Sequence, residues 1–213
     1  MKKLKNTTMK KVMILLTCVL TIGAATAQEK KGGFALDLGL GTSQFGNYSP
    51  LSVFADPTDT YALIPAEHLS LGYHDGNGWF YGLTLGLKSG NTAFQDKNEN
   101  FMDISMLLDI RDYFKLTDKL ELEVGVTGGL LVHNNFFDFM GEHFSPTQLG
   151  YEGYLQVGLN YLFKEGHFIG IRAMYPHVGA LGNSFPSLPD GVMNNQKKVF
   201  TGYSIQLNYG IRF

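Results

Sequence analysis

Residues 198–213, Lys-Val-Phe-Thr-Gly-Tyr-Ser-Ile-Gln-Leu-Asn-Tyr-Gly-Ile-Arg-Phe, alternate almost without interruption. Val199, Thr201, Tyr203, Ile205, Leu207, Tyr209, Ile211 and Phe213 hold the odd positions. Lys198, Gly202, Ser204, Gln206, Asn208, Gly210 and Arg212 separate them, and Phe200 is the one break. Successive side chains of a strand point to opposite faces, so this segment reads as a strand with one greasy and one polar face. It is 16 residues long, whereas strands of soluble sheets average about five or six. A strand that crosses about 25 Å of hydrocarbon at a tilt shows lipid this same alternation.

The pattern repeats toward the N-terminus. In residues 33–41, Phe34, Leu36, Leu38 and Leu40 face Ala35, Asp37, Gly39 and Gly41. Residues 42–66, with Pro50, Pro57 and Pro65, read as a long connection. A second strand, 67–74, sets Leu69, Leu71 and Tyr73 against His68, Ser70, Gly72 and His74. Asp75-Gly76-Asn77-Gly78 is a hairpin turn signal. The third strand carries Trp79, Tyr81, Leu83, Leu85 and Leu87 outward, with Gly82, Thr84, Gly86 and Lys88 inward, before a polar loop at 89–100.

The fourth strand, 101–114, sends out Met102, Ile104, Met106, Leu108 and Ile110 and turns in Asp103, Ser105, Asp109 and Arg111; Asp112-Tyr113-Phe114 fit it poorly. The fifth opposes Leu120, Leu122, Val124, Val126 and Leu130 to Glu121, Glu123, Gly125, Thr127 and Gly129, followed by a loop at 133–147. The sixth, 148–163, has Leu149, Tyr151, Leu155, Val157, Leu159 and Tyr161 against Glu152, Tyr154, Gln156, Gly158 and Asn160. The seventh has Ile169, Ile171, Ala173 and Tyr175 against Gly170, Arg172 and Met174, with a last loop at 176–197.

Eight strands with short connections after the even ones and long connections after the odd ones predict an all-β, antiparallel, up-and-down transmembrane barrel. Phe34, Tyr73, Trp79, Tyr161, Tyr209 and Phe213 at one end, and Tyr151, Tyr175 and Tyr203 at the other, are placed to form interfacial girdles. A periplasmic sandwich would also alternate, but its strands would be shorter.

The N-terminus has Lys2, Lys3, Lys5, Lys10 and Lys11, then an apolar run at 12–24 and Ala25-Thr26-Ala27. This is the order of a cleaved signal peptide, predicted to be residues 1–27, leaving a barrel domain of 28–213. A run this short does not fit a retained spanning helix. Cys18, the single cysteine, falls inside that segment. The exported part then has 12 Lys and Arg against 19 Asp and Glu, five lysines fewer than the whole chain's 17 basic residues. That acidic balance makes the exported chain a poor candidate for nucleic-acid binding.

Residues 206–213, Gln-Leu-Asn-Tyr-Gly-Ile-Arg-Phe, together with the signal peptide and eight alternating strands, resemble the small outer-membrane barrel family typified by OmpX and the OmpA transmembrane domain. The resemblance implies a monomer in the outer membrane of a Gram-negative bacterium, surrounded by phospholipid and lipopolysaccharide. It also implies recognition of the last strand by the barrel assembly machinery, with Tyr209, Ile211 and Phe213 at the matching positions. No peptidoglycan-binding domain is expected after the barrel.

A barrel of eight strands has an interior just wide enough for side chains to fill. Asp37, Asp103, Asp109, Glu121, Glu123 and Glu152 are assigned to it, facing Lys88, Arg111, Arg172 and Arg212. These charges must be paired or hydrated. The expected function is non-enzymatic: a filled barrel serving envelope integrity or surface contact through its loops, the alternative being a channel for ions or small hydrophobic solutes.

A more distant alternative comes from His68 and Ser70, which resemble part of the active site of outer-membrane lipid A deacylases, a hydrolase reading that lacks an assignable acid. No metal site or cofactor is expected. His68 and His74 are too far apart along a strand, and Asp56 and Asp59 lack a regular ligand series. Within the predicted loop at 133–147, Phe136, Phe137, Phe139, Met140 and Phe144 are the candidate contact residues, with Tyr48, Leu51, Val53, Phe54 and Tyr61 of the first loop as possible packing partners.

Overall fold

The computed structural model describes residues 32–45, 64–94, 97–164, 166–185 and 199–213. The predicted signal peptide, Asp56, Asp59 and the first-loop aromatics lie outside those residues. Among these residues nine strands follow in order: β1 (Gly33–Phe45), β2 (Ile64–His74), β3 (Trp79–Phe94), β4 (Lys97–Lys115), β5 (Leu120–Phe139), β6 (Glu142–Phe144), β7 (Thr147–Lys164), β8 (His167–Phe185) and β9 (Val199–Arg212). All pairings are antiparallel. β6 is a short return paired to the end of β5; the other eight strands form a closed ring in which β9 pairs with β1 and β4 with β5.

Closure has a definite stagger. A row at right angles to the strands runs from Ala35 through Gly72, Gly82, Asp109, Thr127, Tyr154, His177 and Gly202. It re-enters β1 at Phe45, ten residues beyond its start. Eight strands with that shear lean at about 41° and give a backbone radius of about 8 Å.

The outward face is apolar. Leu71 is 52% exposed, Leu108 67% and Ile171 57%, an arrangement that only a lipid solvent tolerates over so wide a surface. Phe34, Tyr73, Trp79, Phe114, Tyr161 and Phe163 are exposed around one end, by its short turns the periplasmic end of a barrel of this kind, and Trp79 stacks on Tyr81 with ring centres 6.1 Å apart. That end also carries the short turns. In the β2–β3 turn Gly78 takes φ 122°, a conformation side chains avoid. Asp75 accepts from the backbone N–H of Asn77 at 2.7 Å and Trp79 at 3.0 Å. Desolvation pushes the Asp75 carboxyl upward, but those two donors outweigh it and hold it below its ordinary value.

Several expected boundaries are corrected. The loop expected at 89–100 is the top of a β3–β4 hairpin that pairs as far as Phe94 and Lys97. The loop expected at 133–147 is largely strand, since β5 runs to Phe139 before β6 returns. β8 does not stop at Pro176: a bulge between Met174 and His177 leaves both Tyr175 and Pro176 exposed, and the strand continues to Phe185. Above the hydrocarbon, outward residues no longer need to be apolar, so the sign by which strands were recognised disappears while the ladder continues.

Asp112-Tyr113-Phe114 also belong to the ladder, with Tyr113 turned inward and Phe114 outward.

An arginine at the middle of the outward face must meet hydrocarbon. Leu108→Arg is expected to cost about 2–4 kcal/mol in unfolding titrations from liposomes, and Thr201→Arg, near the upper rim, no more than about 1. Equal costs at the two sites would contradict the placement of the band.

Candidate functional site: the lumen

Alternation turns a polar side chain inward from every strand of the ring, and the narrow bore makes these groups meet. At mid-height Arg111 and Arg172 both pair with Asp37 Oδ2. Arg111 also forks onto Asp109, its Nε lying 3.1 Å and 3.0 Å from the two carboxylate oxygens, and its Nη2 donates to Ser70 Oγ at 2.5 Å. Arg172 Nε donates to Glu123 Oε1 at 2.5 Å and its Nη2 to Oε2 at 3.1 Å.

Asp109 further accepts from Thr84 at 2.7 Å, Gln156 at 2.8 Å and Thr127 at 3.1 Å. Asn160 donates to Glu123 at 3.1 Å and Asn208 to Asn160 at 3.0 Å. Two cations thus face three carboxylates in a network to which all eight ring strands contribute. Charge-assisted and forked bonds of this kind are the strong ones, and burial without them would be prohibitive.

A second polar layer lies toward the extracellular end. Lys88 pairs with Glu152 and, at 3.7 Å, with Asp103. His133 Nδ1 lies 2.5 Å from Asp103, and His177 bridges Glu152 at 3.2 Å and Ser204 at 2.9 Å. Ser204 in turn meets Ser43 at 2.6 Å. Above it Phe45, Ile64, Phe101, Leu131, Leu181 and Phe200 form a buried apolar cluster. Phe200, the break in the terminal alternation, is therefore part of an apolar closure of the bore. The periplasmic end is closed differently: Arg212 pairs with Glu121 at 2.7 Å and lies over the rings of Tyr113, at 4.1 Å, and Phe168, at 4.9 Å.

All ten charged residues assigned to the lumen point into it, but the pairing differs from simple neighbour contact. Arg111 approaches Glu123 only at 3.9 Å and draws mainly on Asp37 and Asp109, while Glu121 goes to Arg212. Ser70, Thr84, Thr127, Gln156, Asn160 and Asn208 complete the network. Their inward parity was visible in the sequence; their partners depend on register. Glu99, His133 and His177 were hidden because their segments read as loops.

The hydrolase pairing of His68 with Ser70 is not assembled. His68 Nδ1 meets Gln206 at 2.5 Å, while Ser70 meets Thr84 at 2.7 Å and Arg111, and both residues are buried. Among the described residues no cluster of three or more His, Cys, Asp or Glu is arranged to hold a metal.

The aromatic group expected on a free loop is divided. Phe137 is 2% exposed and stacks on Phe144 at 5.6 Å, whereas Met140, at φ 52° beside Gly141 at φ 83°, is 87% exposed at the hairpin tip. Phe136 and Phe139 are half-buried. At the C-terminal end Tyr209 bonds His167 at 2.8 Å, Phe213 N–H donates to Phe34 O at 2.8 Å, and Ile211, assigned to the exposed face, is only 5% exposed.

A greasy-outside, charge-filled, closed eight-stranded sheet with aromatic girdles defines an integral outer-membrane β-barrel. The chain belongs to the outer membrane protein beta-barrel domain family, whose model matches residues 13–213. It is similar in fold to Neisserial surface protein A (NspA), at 13% identity over 85% of this chain and 97% of that one, with a TM-score of 0.55. It is likewise similar to Ail, the attachment invasion locus protein of Yersinia pestis, solved with the heparin analogue sucrose octasulfate, at 12% identity over 86% and 99% of the chains and a TM-score of 0.52. No curated protein matches the chain.

Removing Arg111 leaves Asp109 in the bore without its cation and Asp37 with Arg172 alone. Arg111→Ala should lower unfolding free energy in lipid by about 3–5 kcal/mol. A loss under about 1 kcal/mol would mean that Arg111 is not the cross-brace of the barrel.

Proposed function

We propose that this protein is a non-conducting surface platform of the outer membrane: a filled, braced barrel that holds extended extracellular hairpins in place for envelope integrity and surface contact. The observation that carries this reading is the bore itself. Its centre is occupied by Arg111, Arg172, Asp37, Asp109 and Glu123, all buried, and its extracellular end by the apolar cluster around Phe45 and Phe200. A path for ions or hydrophobic solutes would require both layers to part, so the channel reading ranks second.

What remains on offer to a partner is the extracellular rim, where the β5–β6 hairpin presents Met140 and the exposed ion pair of Asp138 with His143, at 2.9 Å. Recognition commonly sits on such segments of a rigid scaffold. The names of the two similar barrels, a surface protein and an attachment invasion protein, support the same class of role. The protein acts in this reading as a monomer among phospholipid and lipopolysaccharide. It is exported by cleavage of residues 1–27 and inserted through its last strand, with Tyr209, Ile211 and Phe213 presented to the assembly machinery.

Two measurements test the proposal. Wild type in planar bilayers should give no steady conductance, and a stable ion current would overturn the filled-barrel reading. Replacing residues 138–143 by a two-residue turn should leave assembly intact and reduce attachment of producing cells to a solid surface; unchanged attachment would remove the hairpin from the proposal.

A further inference from the structure

The apolar outer wall is not of even height. On β7 the outward positions from Phe163 up to Leu149 are all apolar or glycine; on β2 only Tyr73, Leu71 and Leu69 are, before Glu67 and Pro65. With about 3.3 Å per residue and a lean of about 41°, the β7 run rises about 35 Å and the β2 run about 10 Å before side-chain reach is added. β1 resembles β2, changing to Thr42 after Leu40, and β5 resembles β7, apolar or glycine up to Val132. β2 and β7 lie four strands apart in a ring of eight, on opposite sides of the barrel.

The register fixes the comparison. Glu67 pairs with Leu87, Leu87 with Ile104, Ile104 with Val132 and Val132 with Leu149. This row crosses four strand pairs, half of a ring whose full circuit climbs ten residues. Leu149 therefore stands about five residues, or about 12 Å, higher above the periplasmic end than Glu67. Yet Leu149 is apolar and 68% exposed, and Glu67 is charged and exposed. The lower edge shows no matching slope, since Phe34, Tyr73, Trp79, Phe114 and Tyr161 mark it on both sides. A tilt of the whole barrel would slant both edges, so the belt is a wedge.

We propose that the β1–β2 wall is a bilayer-thinning surface, where the headgroups of outer-leaflet lipid are drawn inward to meet Glu67 and Thr42, while the β5–β7 wall stays in hydrocarbon up to Leu149. Hydrocarbon of about 25 Å is shorter than the tall wall and longer than the short one, and lipid adjusts to such mismatch more readily than a closed sheet does. The occupant of the short wall is polar lipid, because the exposed carboxylate of Glu67 requires a wet or ionic neighbour.

The test is the depth of two spin labels in the full chain in bilayers, at Glu67→Cys and Leu149→Cys, each with Cys18→Ala. A level belt puts the higher position in water. The wedge inverts this order: the label at 149 relaxes with oxygen in the lipid, and the label at 67 with a water-soluble nickel complex. Both labels in water, both in lipid, or a label at 149 shielded from both reagents by a covering protein would each overturn the proposal. As an unlabelled check, Glu67→Leu should shift folding yield toward bilayers with longer acyl chains; no shift counts against it.

Discussion

The closing contact between β1 and β9 is the constraint on which the rest depends. Once the ring shuts with a ten-residue stagger, its backbone radius is about 8 Å and nothing but side chains and scattered water fits inside. Closure also removes the sheet edges that could not survive in lipid. The chain then has a greasy exterior solvated by acyl chains and a polar interior that must solvate itself. Arg111 and Arg172 answer that need, because a guanidinium fork satisfies several carboxylates at once from a single strand position. Their reach to Asp37 ties β4 and β8 to β1, so the electrostatic core reinforces the seam that created it.

The lumen is layered along its axis. Cation–aromatic packing around Arg212 closes the periplasmic end, two ionic layers fill the middle, and Phe45, Phe101 and Phe200 close the extracellular end. On the far side of that last layer the end of β5 and the returning β6 form a hairpin that rises from the ring. At its two-residue tip Met140 and Gly141 both take the left-handed conformation that so tight a turn requires. The braced bore and the presented rim are thus one mechanical unit.

Much of this was legible in the residues. The parity of Leu69, Leu71 and Tyr73 against His68 and Ser70 assigns both faces of β2 without a structure, and the same parity puts Asp37, Arg111 and Arg172 inside. Two kinds of information were missing. Recognition of strands by greasy outward positions fails above the hydrocarbon, which concealed the upper parts of β3, β5 and β8 and with them His133 and His177. Parity also says which face a residue takes but not its height, so that Glu121 with Arg212, and Asp109 with Thr84 and Gln156, emerge only from the stagger. His68 and Ser70 show the same limit: two residues on one face of one strand look like a pair, yet each is claimed by side chains from other strands.

The seam offers the most direct test. Leu40 on β1 and Leu207 on β9 lie opposite each other across the closure, far apart in sequence but paired in the ladder. With Leu40→Cys and Leu207→Cys introduced together, mild oxidation of intact outer membranes should form an internal disulfide, seen as a boiled band that shifts on reduction. If the pair stays reduced, while cysteines at Leu71 and Leu83, opposite on β2 and β3, cross-link readily, the ring is open and the filled, braced lumen cannot exist as described.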